Sequence, residues 1–185
     1  MVSIASLWLP ILLSAAAVFV VSSIIHMFLG YHSADYRKLP AEDDFMAAVR
    51  KLDIPPGDYM VPCPASHAAF KDPAFQEKFK AGPRAMMTVF GPYEGMGAQL
   101  AQWFLYAILI SVTAAYISGR ALGPGAHYMK VFRFAGATAF YGYALAHLQA
   151  SIWYKKSWGT TFRNVFDGLV YGLVTAGFFG WLWPR

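Results

Sequence analysis

Residues 131–153, VFRFAGATAFYGYALAHLQASIW, decide the fold. At about 1.5 Å per residue, a helix of this length crosses the ~30 Å hydrocarbon core of a bilayer. Its small residues, Ala135, Ala139, Gly142, Ala146 and Ala150, recur at alternating spacings of four and three and so form one seam. Its large ones, Phe134, Tyr141, Leu145, Leu148 and Ile152, form a second stripe that points well away from the first. Small seams let membrane helices approach closely, and packing is what holds such helices together where lipid supplies no hydrophobic drive. The bulky stripe is suited to lipid. His147 lies on neither stripe but nearer the seam, so this helix is expected at the centre of a bundle, carrying an ionisable group inward.

The rest of the chain repeats the pattern. Residues 5–29, ASLWLPILLSAAAVFVVSSIIHMFL, are too long for a signal-peptide core and have no Lys or Arg before them. They read as an uncleaved first span. A second span covers 98–119, the third 131–153, and a fourth 163–183 with a G-x-x-x-G pattern at Gly168 and Gly172. That pattern predicts a close helix neighbour, in this chain or another. Residues 31–97 are the only long polar stretch. Acids at Glu42, Asp43 and Asp44 with Arg50 and Lys51 later mark a short helix, whose apolar face is Phe45, Val49 and Leu52. Tyr59-Met-Val and Met86-Met-Thr-Val-Phe read as strands able to pair, with a helical turn or two after Asp72-Pro. The expected fold is therefore an all-α membrane protein, a four-helix transmembrane bundle with a small α+β extramembrane cap between helices 1 and 2.

Composition agrees. Of 185 residues, 57% are hydrophobic and only 14% charged, against about 25% charged in soluble domains. Mean hydropathy is +0.40. The net charge of +5 does not mark a nucleic-acid surface. Residues 31–97 hold eight Lys/Arg against nine Asp/Glu, and the remaining basic residues flank the apolar runs. With four spans, the insert and the 154–162 loop share one side and, with Arg163 at the start of the fourth span, carry eleven Lys/Arg, whereas the termini side carries four. The bias toward cytoplasmic positive charge places the cap in the cytoplasm and both termini outside. Cys63 is the single cysteine, so no intrachain disulfide forms. Cys63-Pro-Ala-Ser-His67 with Met60 reads as a Pro-rich turn rather than a redox site.

Polar groups gather on one end of the four spans: Ser22, Ser23 and His26 on the first, Gln99, Gln102, Tyr106 and Thr113 on the second, Tyr143 and His147 on the third, Asn164, Asp167 and Tyr171 on the fourth. The candidate cluster is His26, Gln99, Gln102, Tyr143, His147, Asn164 and Asp167. Polar side chains at membrane depth face the bundle or a water cavity. Three readings compete: a structural hydrogen-bond network, a pocket or pathway for a small molecule or ion with Asp167 and the histidines titrating, and a haem or metal held by His26 and His147. No Gly-x-Ser-x-Gly, His-Glu-x-x-His or histidine-box motif supports catalysis. The leading expectation is an integral membrane interaction or accessory protein, without catalysis or cofactor of its own. Its partners would be the lipid bilayer and itself or other membrane subunits.

Phe28-Leu-Gly-Tyr-His-Ser-Ala-Asp-Tyr-Arg-Lys-Leu-Pro, Pro55-Pro-Gly-Asp-Tyr-Met-Val-Pro and Phe166-Asp-Gly-Leu-Val-Tyr-Gly-Leu carry a resemblance. In these stretches the chain resembles an uncharacterised family of small four-helix bacterial inner-membrane proteins. The resemblance implies a bacterial inner-membrane location and brings no catalytic residue with it.

Overall fold

A computed structural model describes residues 1–185. The protein is mostly helical and carries one two-stranded sheet. In chain order the elements are α1 (Trp8–Phe28), α2 (Glu42–Arg50), β1 (Gly57–Val61), α3 (Pro73–Ala81), β2 (Ala85–Val89), α4 (Gly97–Ala121), α5 (Tyr128–Phe140), α6 (Ala146–Tyr154) and α7 (Trp158–Trp181). The chain divides into two compact units, Met1–Arg37 with Met96–Arg185, and Lys38–Gly95.

In the first unit α1 packs on α4 and α7, and α5 packs on the same two helices. The interior is made of small side chains: Ala15, Ala107, Ala114, Ala135, Ala139 and Ala176 are fully buried. Polar ones join them. The Ser14 and Ser111 hydroxyls meet at 3.0 Å between α1 and α4, and those of Ser151 and Thr161 at 2.6 Å between α6 and α7. The large apolar side chains face outward instead, including Leu12, Val20, Leu105, Leu109, Phe134, Leu145, Ile152, Phe166 and Leu173. Two helices, Ala5–Phe28 (α1 with the 3-10 turn before it) and Gly97–Ala121, are long and apolar enough to cross a membrane.

The expected third span is not one unbroken α-helix. A π turn, Tyr141–Leu145, separates α5 from α6. Such a turn admits one extra residue, which rotates everything after it by about 100°. The small-residue seam therefore holds only to Gly142. Beyond it, Ala146 is exposed, contrary to the expectation, as is His147, and the buried position of the last turn is Ser151 rather than Ala150. Inside the π turn the Gly142 carbonyl accepts a hydrogen bond from the Tyr106 hydroxyl of α4 at 2.7 Å.

The fourth helix starts earlier than its apolar run suggests. Lys155, at φ 56°, turns the chain sharply, and α7 begins at Trp158. Its glycines are used within the chain. A Cβ on Gly172 would stand 3.1–3.2 Å from backbone atoms of Phe140 and Gly136, and one on Gly168 would stand 2.7 Å from the Ala144 Cβ. The G-x-x-x-G face thus seats α7 directly on α5 and the π turn.

In the second unit, β1 and β2 pair antiparallel, with Gly57 opposite Val89 and Met60 opposite Met86. Asp58 and Thr88 face each other and hydrogen-bond at 2.6 Å. α3 is capped by Asp72, whose carboxylate accepts from the Ala74 N–H, and ends at Gly82. Phe70, Phe75 and Phe79 cluster along it, with the Arg84 guanidinium 5.0 Å above the Phe79 ring. Phe45 on α2 and Leu52 just beyond its end are exposed.

Candidate functional site

The helical unit carries a half-open cavity of about 590 Å³, within the usual range for small-molecule sites. α1 contributes Ser22, Ser23 and His26; α4 contributes Gln99, Trp103 and Tyr106. The π turn and α6 contribute Gly142, Tyr143 and His147, and α7 contributes Asn164, Asp167 and Tyr171. Six of the seven residues singled out from sequence line this one space. Gln102 does not: it is exposed on α4 and lies outside the lining. His147 lines the space beside Ala146, and both remain exposed.

Three residues that matter most were grouped with the polar insert by composition. Gly30, at φ 64°, terminates α1, and a 3-10 turn, Tyr31–Asp35, folds back over the end of the helix. This return stacks His32 on His26, with ring centroids 4.5 Å apart and planes 12° from parallel. It also brings Tyr31 and His32 onto Asp167 of α7. The Tyr31 hydroxyl donates to Asp167 Oδ1. His32 Nε2 lies 2.8 Å from Asp167 Oδ2, while its Nδ1 lies 2.6 Å from Asp35 Oδ2. Arg163 Nε in turn donates to Asp35 Oδ1 at 2.7 Å. The result is a continuous chain, Asp167–His32–Asp35–Arg163, in which two carboxylates face one guanidinium and one imidazole bonded through both nitrogens.

Asp167 is only 3% exposed, so its charge is stabilised by partners rather than by bulk water. Burial alone would raise the Asp35 carboxyl, but hydrogen bonds from His32, Arg163 and Thr160 outweigh it and hold the group below its ordinary value. Burial, followed by the bond to Asp167, pushes the Tyr31 hydroxyl well above the usual phenol range, so it remains a donor.

Tautomers follow from the partners. The Ser22 carbonyl can only accept, so His26 Nδ1, 3.0 Å away, carries the hydrogen and Nε2 keeps a lone pair. His26, His32 and Asp167 each offer one ligating atom, and these lie within 4.8 Å of one another.

Trp103 also belongs to the site. Its Nε1–H donates to Ser22 Oγ at 2.8 Å, and its ring packs against Tyr106, Tyr143 and Tyr171. Tyr143 and Tyr171 are 5% and 4% exposed, and neither hydroxyl has a hydrogen-bond partner in the protein. An unsatisfied buried hydroxyl costs about 1–3 kcal/mol, so both lining residues are polar groups in want of a partner.

Two signals in the sequence point to the missed residues. Gly30 closes the first apolar run, and His32 and Asp35 stand three apart immediately after it. No protein-family model, curated protein or solved structure matches the chain.

Proposed function

We propose that this chain is a multi-pass membrane protein, a four-helix transmembrane bundle of α1, α4, α5 with α6, and α7, that binds a small polar or ionic solute in its cavity. The observation that carries this reading is the cavity itself. It reaches a buried carboxylate and two histidines and is walled by tyrosine hydroxyls without partners. Ionisable groups at membrane depth are costly and tend to mark solute or ion paths. The bundle's distribution of side chains supports the membrane part: large apolar residues outside, alanine, serine and threonine within. In this arrangement Met1 and Arg185 share one side of the membrane and residues 38–95 occupy the other, the cytoplasmic side by charge bias.

The leading expectation from sequence, an interaction or accessory protein partnered by itself or other membrane subunits, draws no support from the G-x-x-x-G face of α7. The Gly168 and Gly172 faces are filled by Ala144 and by the backbone of α5. What the geometry supports is binding within one chain.

Cysteine labelling in sealed vesicles tests the reading. In a Cys63→Ala background, Gln99→Cys and Ala146→Cys should react with a charged methanethiosulfonate reagent, whereas Leu109→Cys, on the outward face of α4, should not. Protection of both cavity positions would show that the space is closed to water, and the binding proposal would fail.

A further inference from the structure

We propose that His26, His32 and Asp167 form a site for one divalent transition-metal ion of the Zn²⁺ type, set in the wall of the cavity between α1, the 3-10 turn and α7. This deepens the binding reading above, and rests on it, by naming the ligand class.

Two imidazoles and a carboxylate are the donor set that suits Zn²⁺ and its first-row neighbours, with a further position left open to water or solute. The arrangement around these donors resembles that around a metal more than that of a plain ion pair. In metal sites, a ligating histidine donates its other ring N–H to a carbonyl or carboxylate, which fixes the ring and leaves the remaining nitrogen free to bind. Both histidines have that support. His26 Nδ1 is engaged by the Ser22 carbonyl at 3.0 Å, and His32 Nδ1 by Asp35 at 2.6 Å. Asp35 is itself anchored by Arg163 at 2.7 Å. His26 Nε2 is thereby left as a binding atom, whereas His32 Nε2 is engaged with Asp167 and has to give up that bond to bind.

Asp167 supplies the anionic ligand, and its side chain is buried on α7. Metal–ligand bonds of about 2.0–2.2 Å place tetrahedral donors roughly 3.3 Å apart. The three donors lie within 4.8 Å of each other, so a pair at that limit has to close by about 1.5 Å to reach this spacing. The closest pair, His32 Nε2 and Asp167 Oδ2, stand 2.8 Å apart as a hydrogen bond. A metal ion entering between them takes the place of that hydrogen, so binding releases about one proton to solvent. His26 is stacked on His32 with nearly parallel planes, so its ring has to turn out of the stack for its Nε2 to supply the third ligand.

The test uses the full-length protein, purified in detergent, stripped with chelator and titrated with Co²⁺ as a spectroscopic stand-in for Zn²⁺. One Co²⁺ per chain is expected, with visible ligand-field absorption that Zn²⁺ abolishes and a proton released on binding. His26→Ala is the deciding variant. It leaves the Asp167–His32–Asp35–Arg163 chain in place, which an unchanged melting temperature of the metal-free protein verifies. It should weaken Co²⁺ binding by on the order of 100-fold, at or beyond the upper end of what loss of a supporting group alone produces. His147→Ala, which changes the cavity outside the triad, should leave Co²⁺ affinity within about threefold, well short of that range.

Absence of stoichiometric Co²⁺, or full affinity in His26→Ala, would overturn the site and leave the cluster as a hydrogen-bonded tie between α1 and α7. Loss of binding in His147→Ala would overturn it too, by moving the ion to the other histidine. Labelling of Ala146→Cys reads the cavity independently of any metal. A labelled but metal-free protein therefore sinks this inference alone, and an unlabelled one sinks the binding reading beneath it.

Discussion

At the scale of single residues, the chain Asp167–His32–Asp35–Arg163 joins the end of α1 to α7 through charge-assisted bonds, each stronger than a neutral one. Asp35 provides a test with a definite sign. Its carboxyl is held below the ordinary 3.8, so the folded state binds its proton less readily than the unfolded chain. The stability it contributes is present in full above the unfolded value and is lost as pH falls below about 3.8 toward the lowered folded value. Asp35→Asn should therefore cost about 2 kcal/mol at neutral pH, in line with the loss of charged hydrogen bonds. The gap from the native protein should shrink as pH drops through the acid range. Denaturant melts at neutral and acid pH check it, and a gap that widened on acidification would assign the stabilisation to another group. None of this network was legible from composition. His32 and Asp35 sit in a polar stretch, and only the reversal at Gly30 carries them back onto α7.

At the scale of elements, the π turn and the glycine face of α7 set the site. The turn lines the cavity through Gly142 and Tyr143, and the Tyr106 hydroxyl takes up the Gly142 carbonyl within it. α7 can approach this segment because Gly168 and Gly172 present no side chain to it. Gly172→Leu should therefore force the helices apart and destabilise by roughly 1–3 kcal/mol, the usual cost of overpacking. Gly177→Ala is the control, since a Cβ there meets nothing within 4 Å. It should be neutral or stabilising by up to about 1 kcal/mol, the difference in helix propensity. Equal melts for the two variants would mean that α7 does not rely on close approach at Gly172. Apolar periodicity located α1, α4 and most of α5 and α7, because a 3.6-residue repeat is a local property. It could not register the π turn. The signal for one extra residue lies in the packing of α4 and α7 around it.

At the scale of the whole molecule, the helical unit turns large apolar side chains outward and keeps serine, threonine and alanine inside. A water-soluble protein rarely exposes so much apolar surface. The chain should therefore stay in the membrane pellet after an alkaline carbonate wash, and tags at Met1 and Arg185 should respond alike to an impermeant reagent. Release into the supernatant, or tags of opposite accessibility, would count against the four-span arrangement. Sequence alone determined the helical character, the apolar runs, the paired strands between Gly57 and Val89, and the residue types able to bind an ion or polar solute. These depend on composition and short-range periodicity. Tertiary structure alone decided which of those groups meet. The 3-10 turn after Gly30 set His32 on Asp167, the π turn moved the buried position from Ala150 to Ser151, and α5 took the glycine face of α7. Each is a contact between residues far apart in the chain, created by a change of backbone direction or phase that no local pattern encodes.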